Sequence, residues 1–189
     1  MSLRVAIGLN MALRAMMVFF AAEALLAPDD DPRFDGKGIA IRNAIIIGTY
    51  SLVFPAMHQL RRRSWSAYPW WTDSLWLSVV WLDMLGNSLD LYESWYYFDL
   101  LPHSTGPGAI TVVLMEALRL PFGSSVAIVQ IGHILLEAQE YYTDVLVGTE
   151  NVAHVRETIN DLLAGVVGSL AYAIVYSRWR HGRWWPGFR

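Results

Sequence analysis

The fold follows from one stretch, residues 124–147, which reads SSVAIVQIGHILLEAQEYYTDVLV. Most of its side chains are apolar or aromatic, and it is long enough to exceed the ~20 residues that cross a membrane as a helix. Ionisable groups nevertheless recur at His133, Glu137, Glu140 and Asp144. Residues three and four positions apart lie on one face of an α-helix. Because each ionisable group costs about 2.5–3.5 kcal/mol inside a bilayer, this stretch predicts a membrane helix with a functional polar stripe.

The composition of the whole chain is typical of a membrane protein. Of the 189 residues, 54% are apolar and 16% are charged, whereas a soluble domain has about 25% charged residues. The nine Trp and nine Tyr agree with this, since both residues favour membrane–water interfaces. The absence of cysteine excludes disulfides and thiolate metal sites. No basic stripe alternates with aromatic residues, so nucleic acid is excluded as a partner.

Six apolar segments predict an all-α fold, a six-helix transmembrane bundle that forms a single domain over residues 1–189. Each segment has a length near the ~20 residues that span ~30 Å of hydrocarbon. The fourth is the shortest, and it begins at Gly106-Pro107-Gly108. Arg14 and Glu23 interrupt the first, which therefore predicts a retained span rather than a signal peptide. The spans cover residues 5–27, 39–59, 71–93, 106–120, 124–147 and 160–176.

The placement of basic residues predicts that both termini are cytoplasmic. With that topology the acidic loop at residues 29–35 faces outward, and most arginines fall on the inner side, as positively charged loops do. The tail over residues 178–185 predicts a basic and aromatic anchor on the inner leaflet. The inner arginines are Arg4, Arg61, Arg62, Arg63, Arg119, Arg178, Arg180, Arg183 and Arg189.

A second polar stripe occurs on the third span, at Asp83, Asn87, Asp90 and Glu93. At a rise of ~1.5 Å per residue, this stripe runs from the middle of the membrane to its outer surface, as the first stripe does. The two stripes are expected to line one cavity that opens outward. Arg14 lies at a similar estimated depth to Asp83, so we expect these two residues to form an ion pair.

Further polar groups are predicted at the outer surface. Asp99 and His103 precede the fourth span, and Glu157 and Asp161 begin the sixth. After them, Gly165 and Gly168 provide small positions where helices pack closely. The estimated depths of His103 and His133 differ, which disfavours the two histidines as ligands of one haem.

Carboxylates with an imidazole at helical spacing suit a divalent metal such as Zn, Mn, Fe or Mg. The prediction is a metal-assisted membrane enzyme that acts on a lipid, a lipid-linked or a small amphipathic substrate. The predicted metal ligands are His133, Glu137, Glu140, Asp144 and Asp161. The predicted catalytic residues are His103, Glu137, Glu140 and Asp161. The predicted supporting residues are Asp83, Asn87, Asp90, Asp99, Glu157 and Arg14.

Three alternatives remain open at this point. The stripes could form a hydrogen-bonded polar core that only fixes the helix register. They could conduct protons or ions in a permease, although the inner halves of the third and fifth spans are apolar. The chain could also be a non-catalytic accessory subunit with a membrane-protein partner.

Three pieces of the second half of the chain, at residues 97–106, 137–140 and 157–162, resemble motifs of the YjdF-like family of bacterial integral membrane proteins. Residues 97–106, YFDLLPHSTG, are similar to the family's Tyr-Asp-Lys-x-x-His-Phe-x-x-Gly, with Leu100 and Ser104 as departures. Residues 137–140, EAQE, resemble its Glu-x-x-Glu. Residues 157–162, ETINDL, resemble its Asp-Thr-x-x-Asp-Leu. A more distant resemblance is to the VanZ-like family.

The resemblance implies a bacterial inner-membrane location and no particular reaction. It also implies that six residues act as one constellation near the outer surface, in agreement with the estimated depths. These residues are Asp99, His103, Glu137, Glu140, Glu157 and Asp161.

Overall fold

The computed structural model of the protein describes residues 2–28, 30–35, 37–61, 64–148 and 155–180. In this part of the chain every regular element is a helix, which confirms the all-α prediction. Arg62, Arg63, Asp29 and the tail at residues 181–189 lie outside the described residues. The helices are α1 (Leu3–Leu26), α2 (Ile39–Gly48), α3 (Val53–Leu60), α4 (Trp70–Ser88), α5 (Leu91–Ser94), α6 (Leu100–Ala117), α7 (Phe122–Val147) and α8 (Val155–Arg180). Short 3₁₀ turns occupy Tyr50–Leu52 and Trp65–Ala67.

Three helical stretches among the described residues are long and apolar enough to cross a membrane. They are Leu3–Leu26, Ile39–Leu60 and Arg156–Arg180, of which the second joins α2 to α3 through the 3₁₀ turn. This supports the predicted association with a membrane. The number of six spans and the sides of the termini remain predictions.

The helices group into two compact units, Met1–Phe98 and Asp99–Arg189. In the first unit α1 packs against α4 and α2, and in the second α6 packs against α8 while α7 contacts both. The core of the first unit consists of Leu13, Met17, Phe20, Ala21, Leu77 and Met84. The single-domain organisation, and a cavity shared by the two predicted stripes, remain predictions.

The predicted ion pair between Arg14 and Asp83 is wrong. The Nη2 atom of Arg14 lies 2.5 Å from Oδ2 of Asp73, and Asp83 instead pairs with Arg42 at 2.7 Å. Hydrogen bonds from Asn10 to Ser74 and between Glu23 and Ser88 set the register of α1 on α4. In that register Arg14 lies about midway between the two aspartates. A helical side chain points towards the N-terminus of its helix, and in that direction Arg14 reaches Asp73.

The polar stripe predicted over residues 83–93 does not form one helical face. Helix α4 ends at Ser88, and Asp90 adopts a left-handed conformation with φ 55°, which aspartate tolerates better than most residues. Glu93 lies on α5 and pairs with Lys37 at 3.1 Å. Only Asp83 and Asn87 share one helix, α4, where Asn87 Nδ2 donates to the Asp83 carbonyl at 2.9 Å.

Helix α6 begins at Leu100, so Gly106-Pro107-Gly108 lies inside it and is not a helix start. Proline has no N–H for the carbonyl four residues earlier, here that of His103. Gly108 on α6 and Gly168 on α8 allow these two helices to approach closely. A Cβ on Gly108 would lie 3.0 Å from the Gly168 carbonyl oxygen, and one on Gly168 would lie 1.9 Å from that of Ser104. The predicted role of Gly168 in close helix packing is therefore confirmed.

In the first unit, Arg33 joins the C-terminal ends of α1 and α4. Its Nη1 atom donates to Glu23 Oε1 at 2.7 Å and to the Ser88 carbonyl at 2.9 Å. Its Nη2 atom donates to Asp31 Oδ2 at 2.8 Å. The side-chain hydrogen bond from Arg33, followed by its backbone hydrogen bond, lowers the pKa of Asp31.

We expect Asp31→Asn to lower the thermal unfolding midpoint in detergent at neutral pH. Because the pKa of Asp31 is lowered in the folded state, its contribution is fully present above the unfolded value of about 3.9. The contribution is lost as the pH falls through the folded value. The difference in midpoint between wild type and variant should therefore be constant near pH 7 and shrink below about pH 4. The exposed Asp35→Asn is the matched control, and an Asp31→Asn difference that is equal at pH 3 and pH 7 would contradict this account.

Candidate metal centre

Helix α7 presents a buried polar face in a helix that is otherwise exposed on most sides. Ser125, Val129, His133 and Glu137, spaced four residues apart, are all buried. Neighbouring positions such as Leu135, with 64% exposure, point outward. His133 and Glu137 are each only 5% exposed. His133 and Glu137, the first two members of the predicted stripe, are thus buried inside the second unit.

Three side chains from α6 and α7 converge on one point. Nδ1 of His103 lies 3.0 Å from Nε2 of His133 and 3.3 Å from Oε1 of Glu137. Nε2 of His133 lies 3.4 Å from the same Oε1 atom. The three atoms therefore form a triangle with sides of 3.0–3.4 Å. We call these three residues the trio.

The trio has a second group of acidic residues beside it. Nε2 of His103 lies 3.4 Å from Oδ1 of Asp99, which is four residues earlier on the chain. Asp161, at the start of α8, also has a ligand atom within 4.8 Å of those of Asp99 and His103. Asp161 is buried and Asp99 is partly exposed. His103 belongs to both groups, with one ring nitrogen directed to each.

Gly165 on α8 leaves room for the His133 ring. A Cβ on Gly165 would lie 2.2 Å from Nδ1 of His133 and 3.4 Å from Cγ of Pro107. The ring therefore packs directly on the backbone of α8, at a position where only glycine leaves room for it. Pro107 on α6 and Gly165 on α8 therefore lie close to each other beside the site.

Two buried atoms of the trio accept or donate no hydrogen bond within the described part of the chain. They are Nδ1 of His133 and Oε1 of Glu137. A buried polar atom without a partner costs about 1–3 kcal/mol. Oε1 of Glu137 is directed to both imidazole rings, at a distance longer than an aligned hydrogen bond. A proton shared between the two facing imidazole nitrogens, or a cation that binds all three ligand atoms, would compensate this arrangement.

The spacing of the trio fits a small divalent transition-metal ion. Zn²⁺ binds nitrogen and carboxylate oxygen at about 2.0–2.2 Å in tetrahedral geometry, which separates its ligand atoms by about 3.3–3.6 Å. The observed separations of 3.0–3.4 Å need only small shifts to reach that range. The second group supplies two carboxylates and an imidazole, a set that suits Zn, Mn or Mg.

The structure brings together only some of the predicted site residues. His103, His133, Glu137, Asp99 and Asp161 meet in the second unit. Among the described residues, Glu140, Asp144 and Glu157 belong to neither group, and each is partly exposed. Glu140 and Asp144 lie on α7 closer to its C-terminus than Glu137. The predicted Glu-x-x-Glu pair therefore does not place both carboxylates in one cluster.

The predicted supporting residues of the first unit have partners of their own. Asp83 accepts a hydrogen bond from Tyr92 at 2.9 Å in addition to its pair with Arg42. Asn87 is bonded to Asp83, and Arg14 is bonded to Asp73. Asp90 occupies the N-cap position of α5 without a side-chain capping bond, and its carbonyl accepts hydrogen bonds from the N–H and the hydroxyl of Ser94. Each contact lies within the first unit.

The depth estimate that separated His103 from His133 was wrong. It assumed that His103 belonged to a loop outside the fourth span, whereas α6 begins three residues before His103. The sequence carried a signal for this helical start, because Asp99 and His103 are four residues apart. The prediction that the half of α7 before His133 is apolar was also incomplete. Gln130 Nε2 donates to the buried Ser169 Oγ at 2.8 Å.

Comparisons with protein-family models, curated proteins and solved structures found no match to this chain.

Proposed function

We propose that this chain is a metal-dependent membrane enzyme in which His103, His133 and Glu137 bind a divalent transition-metal ion. In this proposal the ion promotes hydrolysis of an ester or phosphoester bond in a lipid or lipid-linked substrate. The proposed topology has six spans, with both termini on the cytoplasmic side of a bacterial inner membrane and the metal centre towards the outer surface.

One observation carries the proposal, namely the convergence of three ligand atoms from two helices within 3.0–3.4 Å of one another. Two neutral imidazoles with adjacent facing nitrogens need a proton or a cation between them, and the Glu137 carboxylate supplies the negative charge that favours a cation. His133 and Glu137 are buried. A buried polar or charged group without a partner costs free energy. A divalent ion satisfies all three atoms at once.

The number of protein ligands favours catalysis over a purely structural role. Structural zinc sites have four protein ligands, whereas catalytic sites have three and keep a position for water or substrate. When bound, the ion would lower the pKa of a water molecule or polarise a carbonyl or phosphoryl oxygen. His103 and His133 would serve as neutral ligands, and Glu137 would balance part of the charge. Asp99 would fix the orientation of the His103 ring.

The membrane setting favours a lipid-derived substrate. Three helical stretches in the described part of the chain are apolar enough to cross a bilayer, and α7 exposes large apolar side chains such as Ile131 and Leu135 around the buried stripe. A substrate that diffuses in the bilayer reaches such a site laterally. A water-soluble substrate gains nothing from an apolar surface of this kind.

The test is the metal content of the protein purified in detergent and loaded with Zn²⁺. We expect wild type to bind at least one equivalent per chain, and Glu137→Gln to bind one equivalent fewer than wild type. The glutamine retains the volume of Glu137 but not its charge, so the loss reports on coordination. Hydrolysis of phospholipids in mixed micelles is then measured with the same proteins.

Glu140→Gln is the matched control, because Glu140 lies on the same helix but outside the trio. It should retain the metal content of wild type. A wild-type protein that binds no metal, or a Glu137→Gln variant that binds as much as wild type, would refute the metal centre. Full metal binding without turnover of any lipid would refute the enzymatic part alone.

A further inference from the structure

The acidic group beside the trio has the features of a second cation site. It consists of Asp99, His103 and Asp161, whose ligand atoms all lie within 4.8 Å of one another. Asp161 is only 3% exposed, and within the described residues no protein group donates a hydrogen bond to its carboxylate. A buried carboxylate without a donor that faces a second carboxylate is unfavourable unless a proton or a cation lies between them.

The ring of His103 connects this group to the trio. Its Nδ1 atom faces Glu137 and His133 at 3.3 and 3.0 Å, and its Nε2 atom faces Asp99 at 3.4 Å. Both nitrogens carry an in-plane lone pair when the ring has lost both N–H protons. A single imidazole can then bind one metal ion at each nitrogen.

We propose that Asp99, His103 and Asp161 bind a second divalent cation, and that the His103 ring bridges the two ions as an imidazolate. The inference rests on the proposed function, because the first ion at the trio is its starting point. It adds a new metal site and makes the centre dinuclear. Loading both ions releases the two N–H protons of the cationic ring, or the single N–H proton of the neutral ring, to solvent.

The charges of the five side chains balance when two divalent ions are present. Asp99, Glu137 and Asp161 contribute three negative charges, the His103 imidazolate contributes one, and His133 is neutral. Two divalent cations supply four positive charges, so the net charge of the filled centre is zero. With one ion and a neutral His103 ring, one negative charge is left over at a partly buried position, which low polarity disfavours.

The ligand sets indicate the classes of ion. The trio contributes two nitrogens and one oxygen, which suits Zn²⁺ or Cu²⁺, whereas the second group contributes two oxygens and one nitrogen, which also accepts Mn²⁺.

The first experiment counts metal ions in the purified full-length chain after loading with Zn²⁺ and removal of excess ion. We expect two equivalents in wild type, one in Asp161→Asn and one in Glu137→Gln. His103→Ala removes the shared ligand and should bind the least. Asp161→Glu keeps the carboxylate and should recover the second equivalent, which separates loss of a ligand from loss of folding. Asp99→Asn serves as the second variant if Asp161→Asn does not fold.

The second experiment replaces Zn²⁺ with Cu²⁺ and measures electron paramagnetic resonance. Two Cu²⁺ ions joined by an imidazolate are magnetically coupled, so the integrated signal of wild type should be well below its copper content. Asp161→Asn holds a single ion and should give the full signal of its copper. A full signal from two equivalents in wild type would overturn the bridge.

The outcomes separate this inference from the proposed function. If wild type binds one equivalent that is lost in Glu137→Gln and kept in Asp161→Asn, the second site is refuted and the trio stands. In that case Asp99 acts only to orient His103 through a hydrogen bond. If wild type binds no metal at all, both proposals fail.

Discussion

Asp73→Ala should destabilise the first unit by about 3–5 kcal/mol, because it leaves a guanidinium without its partner in the protein interior. The side chain of Asp73 is fully buried. Its Oδ2 atom accepts hydrogen bonds from Arg14 at 2.5 Å, from Asn10 at 2.9 Å and from the Tyr68 hydroxyl at 2.8 Å. Burial, followed by the hydrogen bond to Asp73, raises the pKa of the Tyr68 hydroxyl, so this group remains a neutral donor. Three donors therefore lose their acceptor at once.

The measurement is unfolding by denaturant in detergent micelles, followed by tryptophan fluorescence. Trp76 stacks on Tyr50 with ring centroids 4.1 Å apart, so its emission reports on the first unit. The matched control is the double variant Arg14→Met with Asp73→Asn. It removes both charges but keeps an amide oxygen for Asn10 and Tyr68, and should recover most of the lost stability. If Asp73→Ala were no less stable than the double variant, the ion pair would not be what holds α1 against α4.

Gly168→Ala should destabilise the second unit by about 3 kcal/mol, at the upper end of the usual cost of overpacking. The new Cβ would lie 1.9 Å from the Ser104 carbonyl oxygen and 2.6 Å from its carbon. Both are backbone atoms of α6, which cannot rotate away as a flexible side chain could. The helices α6 and α8 would have to separate, and the packing of Gly108 on the Tyr172 ring would be lost with them.

Gly132→Ala is the matched control for this effect. Gly132 also lies inside a long helix, but nothing lies within 4 Å of the Cβ that it would gain. Alanine has a higher helix propensity than glycine by about 1 kcal/mol, so this variant should be as stable as wild type or slightly more so. Thermal unfolding followed by circular dichroism in detergent distinguishes the two variants. Equal stability of both would mean that the close contact of α6 with α8 is not required for the fold.

The features that repeat along one helix could be predicted from the sequence. The spacing of His133 and Glu137 placed both side chains on the buried face of α7, and Gly168 was correctly assigned to close packing. Local spacing determines such features, because a helix fixes which residues share a face. The same logic related Asp99 to His103, four residues apart on the chain.

The features that depend on contacts between helices could not be predicted in the same way. Arg14 lies between two aspartates, and only the register of α1 on α4 and the direction of its side chain select Asp73. The helical start at Leu100 was missed because Pro107 and its flanking glycines indicate a later helix start when they are read in isolation. In the folded chain, the approach of α8 to these same residues stabilises the continuous helix. The convergence of the three residues of the trio was therefore not predicted, because His103 was assigned to a loop.

The glycine under the His133 ring has a consequence for recognising other proteins with the same centre. Gly165 follows Asp161 by four residues, Pro107 follows His103 by four, and Glu137 follows His133 by four. On each of these helices, three residues separate the two positions that the site requires. A chain with Asp-x-x-x-His-x-x-x-Pro, then His-x-x-x-Glu, then Asp-x-x-x-Gly-x-x-Gly on successive helices would reproduce the arrangement even if every other residue differed. Spacing of this kind, rather than overall identity, is the signature by which distant relatives of this chain could be found.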